Sequence, residues 1–108
     1  MTGGLASAAS GTVHVKVTKK VISISGSRGS AKQVVQINYD PKKCGSYATE
    51  VKRATEFSDL RGKKGPFKYL IRRSGLHLSK PAHYVCAFLI VLRGHKFHEL
   101  ASSGARLR

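Results

Sequence analysis

Two histidine spacings invite a metal-site reading. In "HYVC", His83 stands three residues before Cys86, and in "HKFH", His95 stands three residues before His98. Each pair has ligand spacing, but a zinc finger needs a longer interval between the pairs to fold back around the ion. The residues between them, "AFLIVLRG", read as a core strand instead. His83 and Cys86 then become core or surface residues, and His95 and His98 candidates for phosphate contact. Catalytic constellations are equally thin. The five carboxylates are scattered over turns and give no acid–base pair. No nucleophile elbow is present, and "GSRGSAK" (Gly26–Lys32) lacks the spacing of a phosphate loop. It reads as a hairpin turn. No catalytic residue, resident metal or cofactor is expected, and the chain is not read as an enzyme.

The cations are the chemistry that remains. Lys and Arg number 20 against 5 Asp and Glu, a formal net charge of +15 on 108 residues. So large a charge repels itself in a compact fold, and a polyanion neutralises it. The longest apolar run, "YVCAFLIVL" (Tyr84–Leu92), is too short to span a bilayer and lacks a helical amphipathic period, so no membrane partner is expected. Nucleic acid is the favoured partner. Four adjacent pairs lie at strand ends or in loops: Lys19–Lys20, Lys42–Lys43, Lys63–Lys64 and Arg72–Arg73. Lys16, Arg28, Lys32, Arg61 and Lys68 stand in the same strands and loops, and all thirteen are candidate RNA-binding residues. Cations at loop tips suit an irregular RNA surface reached through phosphates. The aromatics Tyr39, Tyr47, Phe67 and Tyr69 fall mostly on inward positions, which disfavours binding by base stacking.

The elements that must carry these cations have a period of two. "TVHVKV" (12–17) and "VISIS" (21–25) alternate, "VVQINY" (34–39) is expected to pair with the latter as a hairpin arm, and "YATEV" (47–51) is a weaker strand. "FKYLIRR" (67–73) and "HYVCAFLIVL" (83–92) follow, with "FSDLRGKKGP" (57–66) read as a basic loop. Five or six short strands with Gly/Pro turns predict one small all-β barrel or sandwich. Residues 1–11 read as an extended arm and 12–94 as the RNA-binding domain. Residues 95–108 read as a short helix or basic tail, and both arms as flexible. The Ser-rich, acid-free start has part of a mitochondrial transit-peptide composition but no arginine. Two cysteines without a CxxC fit a reduced compartment, with Cys86 in the core and Cys44 in a turn.

One stretch reaches further. In "QVVQINYDPKKCGSYATEV", a strand runs into an Asp-Pro turn and then basic residues. Ile37, Tyr39, Asp40, Pro41 and Lys43 fall on a pattern that resembles large-subunit ribosomal protein L-two. Downstream, Tyr69, Leu70, Ile71, Gly75 and Leu76 extend the similarity, which runs from about Gly11 to Val85. The chain departs from the family in lacking its Arg-Gly-Gly-Gly stretch, in a longer Lys52–Pro66 loop, and in Arg72–Arg73 where the family has Ala-Pro. The resemblance implies an OB-like barrel that binds large-subunit ribosomal RNA. It covers the first half of the family architecture, as in an organelle-type or gene-split version. The implied partners are ribosomal RNA, neighbouring ribosomal proteins and a separate chain carrying the SH3-like half. The implied location is a ribosome, mitochondrial first and cytosolic as the alternative. A free-standing OB-type nucleic-acid binder outside the ribosome is the competing reading. In either case Asp40 and Pro41 are expected to be structural: proline fixes φ, and the carboxylate accepts a nearby backbone N–H.

Overall fold

The structure, a computed structural model, describes residues 11–53, 56–78 and 81–107. Strands β1 (Thr12–Val17) and β2 (Val21–Arg28) form the hairpin that their alternation predicts. Strand β3 (Gln33–Asp40) leads through helix α1 (Tyr47–Arg53) to β4 (Glu56–Leu60). Strand β5 (Gly65–Arg72), a 3-10 turn (Arg73–Gly75), β6 (Tyr84–Arg93) and β7 (Lys96–Arg106) complete the order. Sheet A has the order β1-β2-β5 and sheet B the order β4-β3-β6-β7, with every pairing antiparallel. The chain crosses between sheets after β2, after β4 and after β5. This is a β-sandwich with connections of the Greek-key kind.

The all-β class stands, but several expectations do not. No ladder joins β1 to β7 or β4 to β5 among the described residues, so the two sheets do not close into a barrel. Strand β3 does not pair with β2. All eight of its residues are buried, which requires neighbours on both edges and cover on both faces. Between β4 and β6 it has them. "YATEV" is helix rather than strand. Ser46 Oγ accepts the Thr49 N–H (3.3 Å) as an N-cap, and the Glu50 carboxylate reaches back to the Gly45 N–H (3.0 Å). "FSDL" is strand β4, so only residues 61–64 of the expected basic loop remain loop. Within the expected helix or tail over 95–108, Lys96–Arg106 is strand β7. It supplies β6 with its second partner after a two-residue turn opened by Gly94 (φ 64), as a type II′ turn requires. Leu107 then closes into the core, so there is no flexible C-terminal arm through residue 107. The expected N-terminal arm lies outside the described residues, apart from Gly11.

Two apolar layers explain the burial. Val13, Ile22 and Ile24 of sheet A meet Val35, Ile37, Tyr39, Val85, Ala87 and Leu89 of sheet B in the main core. On the opposite face of sheet B, Val34, Cys86, Phe88 and Ile90 form a second cluster with Cys44, Tyr47 and Tyr84. Helix α1 covers it, with the Tyr47 ring edge-on to Phe88 at 5.5 Å. This double burial is why β6 reads as a continuous apolar run rather than an alternating one. Cys86 does belong to a core, but neither cysteine is a free thiol: Cys44 and Cys86 form a disulfide. It ties the segment after Asp40 to the outer face of β6. Gly104, opposite Cys86 on β7, makes room for it, since a Cβ there would lie 2.6 Å from Cys44 Sγ.

Candidate polyanion-binding surface

The outer face of sheet A is set by strand parity. Its inward residues fill the main core, so Thr12, His14 and Lys16 of β1 and Pro66, Lys68, Leu70 and Arg72 of β5 point to solvent. Between these rows runs β2 with half-buried Ser23, Ser25 and Ser27. The register places Lys16, Ser23 and Leu70 side by side, then His14, Ser25 and Lys68. Two rows carrying cations therefore flank a floor of small hydroxyl side chains. They stand two strand spacings, roughly 10 Å, apart. No Phe, Tyr or Trp side chain among the described residues rises from this face.

The carboxylates lie elsewhere. Asp40 ends β3, Glu50 is on α1, Glu56 and Asp59 are on β4, and Glu99 is on β7. All five therefore belong to sheet B or to the helix covering it, and sheet A has none. Several are occupied. Asp59 accepts from Gln36 Nε2 (2.8 Å), and Glu99 accepts the Tyr47 N–H (2.9 Å). Asp40 Oδ1 accepts the Lys42 N–H at 2.7 Å, the local turn bond expected of it, and its backbone oxygen accepts from His83 N–H (3.1 Å).

The thirteen candidate cations do not form one cluster. Lys32, Arg61, Lys63 and Lys64 lie at the end of the sandwich where β2 ends and β5 begins. Lys19, Lys20, Lys42, Lys43, Arg72 and Arg73 lie at the opposite end. Lys16 and Lys68 lie on the outer face of sheet A between them. Two of the thirteen are structural. Arg28 shares the inward parity of Ile22 and Ile24 and is only 2% exposed. Its Nε donates to the Gln33 carbonyl (3.1 Å) and its Nη2 to the Leu60 carbonyl (2.9 Å) and to Tyr69 Oη (2.7 Å). The guanidinium also lies 4.8 Å over the Phe67 ring. It ties β2, β3, β4 and β5 together and cannot reach a phosphate. Arg73 donates to the Thr18 carbonyl and the Leu107 carbonyl, both at 2.8 Å, and so pins the β1–β2 turn to the chain end. The other eleven lie on the surface of the sandwich, all exposed.

At the Lys19–Lys20 end, the surface is concave. Lys19, Lys20, Val21, Arg72 and Ser74 line a hollow of about 530 Å³. A second cleft, about 560 Å³, opens between β4 and β5, where the sheets are not joined. It is lined mainly by Ile37, Tyr39, Leu60, Tyr69, Leu70, Leu76 and Leu78. The β1/β7 side is closed by packing and by the Val15 N–H bond to Ser103 Oγ (3.0 Å). The metal-like histidine spacings come to nothing shared. His83 lies at one end of β6, His95 in the turn at the other, and Cys86 is oxidised. Among the described residues no three His, Cys, Asp or Glu side chains stand together as a metal site.

Sequence reasoning missed the disulfide and the inward turn of Arg28. Both have a parity signal. Cys86 lies on the Tyr84–Phe88 face of β6, and Arg28 on the Ile22–Ile24 face of β2. Comparison with protein-family models, curated proteins and solved structures finds no match to this chain.

Proposed function

We propose that this protein binds a polyanion through the outer face of sheet A, and that the polyanion is the phosphodiester backbone of RNA. One observation carries the reading: sheet A has no carboxylate, while its outward rows and the turn beside them carry Lys16, Lys19, Lys20, Lys68 and Arg72. Acid-free cation rows attract phosphate without internal ion pairs to compete. Serines between them add neutral donors, and the lack of an exposed Phe, Tyr or Trp favours backbone contact over base stacking. In its fullest form the proposal makes the chain a structural constituent of the large ribosomal subunit, as the resemblance over Gly11–Val85 implies. Ribosomal RNA, adjoining proteins and a chain carrying the SH3-like half would be its partners. The reading rests on charge placement and does not need the OB barrel. Titration with duplex RNA at several salt concentrations tests it. The expected slope of log K against log salt is about 0.7–0.9 in magnitude per contacted phosphate, and a flat dependence refutes phosphate binding.

A second reading is favoured by the disulfide. Cys44–Cys86 suits an oxidising compartment, where thiol-reducing systems are absent. There the same face would meet a sulfated polysaccharide. Trapping free thiols by alkylation as cells are lysed decides between settings. Alkylated Cys44 and Cys86 support the RNA reading, and unmodified, disulfide-bonded cysteines support the polysaccharide.

A further inference from the structure

We infer that the hollow at the β1–β2 turn is a discrete site for an oligophosphate group, two or more phosphoryl units in a row. The inference deepens the polyanion reading above and rests on it for the source of the phosphate. The scaffold is fixed before any ligand arrives. Thr18 N–H bonds to the Val21 carbonyl (2.9 Å), and Val21 N–H bonds to Thr18 Oγ1 (3.1 Å). These bonds lock the tip that carries Lys19 and Lys20. The adjacent 3-10 turn is tied to the same tip, because the Arg73 N–H donates to the Lys20 carbonyl (2.9 Å). Arg73 Nη1 takes the Thr18 carbonyl (2.8 Å). Two backbone oxygens that would repel an anion are thus both occupied by one residue.

What remains facing the hollow is positive or neutral. Arg72 pairs across the ladder with Val21, so its side chain rises on the face beside which the lysines stand. Ser74 adds a hydroxyl from the 3-10 turn, and Val21 supplies an apolar patch. No carboxylate stands in sheet A or in the two turns that border the hollow. Three cations held together without an anion form an arrangement that a multiply charged ligand relieves. The volume, about 530 Å³, lies within the range of small-ligand sites. Lysines meet phosphate as point charges, while the Arg72 guanidinium can take two oxygens at once. That combination favours adjacent phosphoryl groups over a single monoanion. The groups could come from successive phosphates of a nucleic-acid strand or from a free polyphosphate.

The test uses tripolyphosphate as the probe and two charge-matched triple variants of the whole chain. One is Lys19→Gln/Lys20→Gln/Arg72→Gln. The other, at the opposite end of the sandwich, is Arg61→Gln/Lys63→Gln/Lys64→Gln. All six side chains are exposed, so both variants should keep the wild-type circular dichroism spectrum. Calorimetry should show one tripolyphosphate per wild-type chain, an unchanged constant within twofold for the second variant, and at least a tenfold loss for the first. Arg72→Lys alone should weaken binding severalfold, through the lost two-oxygen contact. Equal losses in both triple variants, or a stoichiometry well above one, would show a diffuse charge effect and overturn the site. Duplex RNA serves as the second arm. If RNA binds with a steep salt dependence while tripolyphosphate shows no preference for the hollow, the site fails and the polyanion reading survives. If tripolyphosphate binds in the hollow and RNA does not bind at all, the site stands as a receptor for free polyphosphate and the RNA reading falls.

Discussion

Sheet A has one dry face and sheet B has two. Antiparallel strands build both, yet the consequences for charge are opposite. The outer face of sheet B is sealed by α1, by the segment from Asp40 to Ser46 and by the Cys44–Cys86 disulfide. Its polar groups are drawn inward: Gln36, Asn38, Asp40 and Glu50 are all buried. The outer face of sheet A has no such cover among the described residues, and its strands carry cations and serines with no acid. A face that must be sealed needs apolar side chains and local hydrogen bonds. A face left open can be given over to a ligand. The acids lie on sheet B and its helix, and the open face of sheet A carries Lys16, Lys68 and Arg72 with no acid among them.

The comparison breaks most readily at the seal. Cys44→Ala/Cys86→Ala opens a loop closed across a sequence separation of 42, which the chain-entropy model values at about 4 kcal/mol. Urea unfolding should show a loss near that size, with binding by the folded variant unchanged. A loss under about 1 kcal/mol would mean that α1 seals sheet B without the disulfide. Arg28→Ala tests whether that cation belongs to the fold rather than to the open face. Removing it strands the Gln33 and Leu60 carbonyls and the Tyr69 hydroxyl, so unfolding should cost about 2–4 kcal/mol less. RNA affinity of the folded fraction should not move.

Asn38 gives a smaller effect of opposite sign. Its side chain is fully buried between Cys86 and Phe57, and neither amide atom has a hydrogen-bond partner among the described residues. Asn38→Leu should therefore raise stability by about 1 kcal/mol, and a destabilised variant would show a need for the amide. The smallest expected effect is on pH dependence. Burial is the main cause holding the Tyr47 hydroxyl above its ordinary pKa, with Asp59 adding to the rise and a hydrogen bond with Gln36 opposing it. The folded state thus keeps the proton longer than the unfolded chain. The stability this supplies is complete below the unfolded pKa near 10 and is lost as pH rises through the folded value. Tyr47→Phe should flatten the stability curve above pH 10. Unchanged curvature would place the alkaline loss in another group.

Period-two runs made β1, β2, β3 and β5 legible, and a continuous apolar run made β6 so, because each strand's inward residues meet a core directly. The sealing elements were not. Tyr47–Val51 has strand propensity, yet the Ser46 cap and the apolar face of sheet B make it helical. Strand β7 is too poor in β-branched residues to announce itself and exists because β6 needs a second neighbour. The disulfide joins residues 42 apart in sequence, and only the fold brings them together. Of the site, the cations were visible in number but not in grouping. Grouping follows from which sheet a strand joins, and β2 and β3 turned out to lie in different ones. Arg28 and Arg73 looked like their neighbours in sequence and differ only in where the backbone aims them.

The difference between the sheets is tested most directly by removing two cations from each and measuring the salt dependence of duplex RNA binding. Lys16→Gln/Lys68→Gln takes two from the open face. Lys43→Gln/Arg106→Gln takes two exposed cations from beside the disulfide on sheet B. If the open face carries the ligand, the first variant should lower the magnitude of the log–log slope by about 1.4–1.8, the value for two lost phosphate contacts. The second should leave it within error of the wild type. Equal changes in the two variants, or a larger one in the second, would contradict the assignment of the polyanion to sheet A.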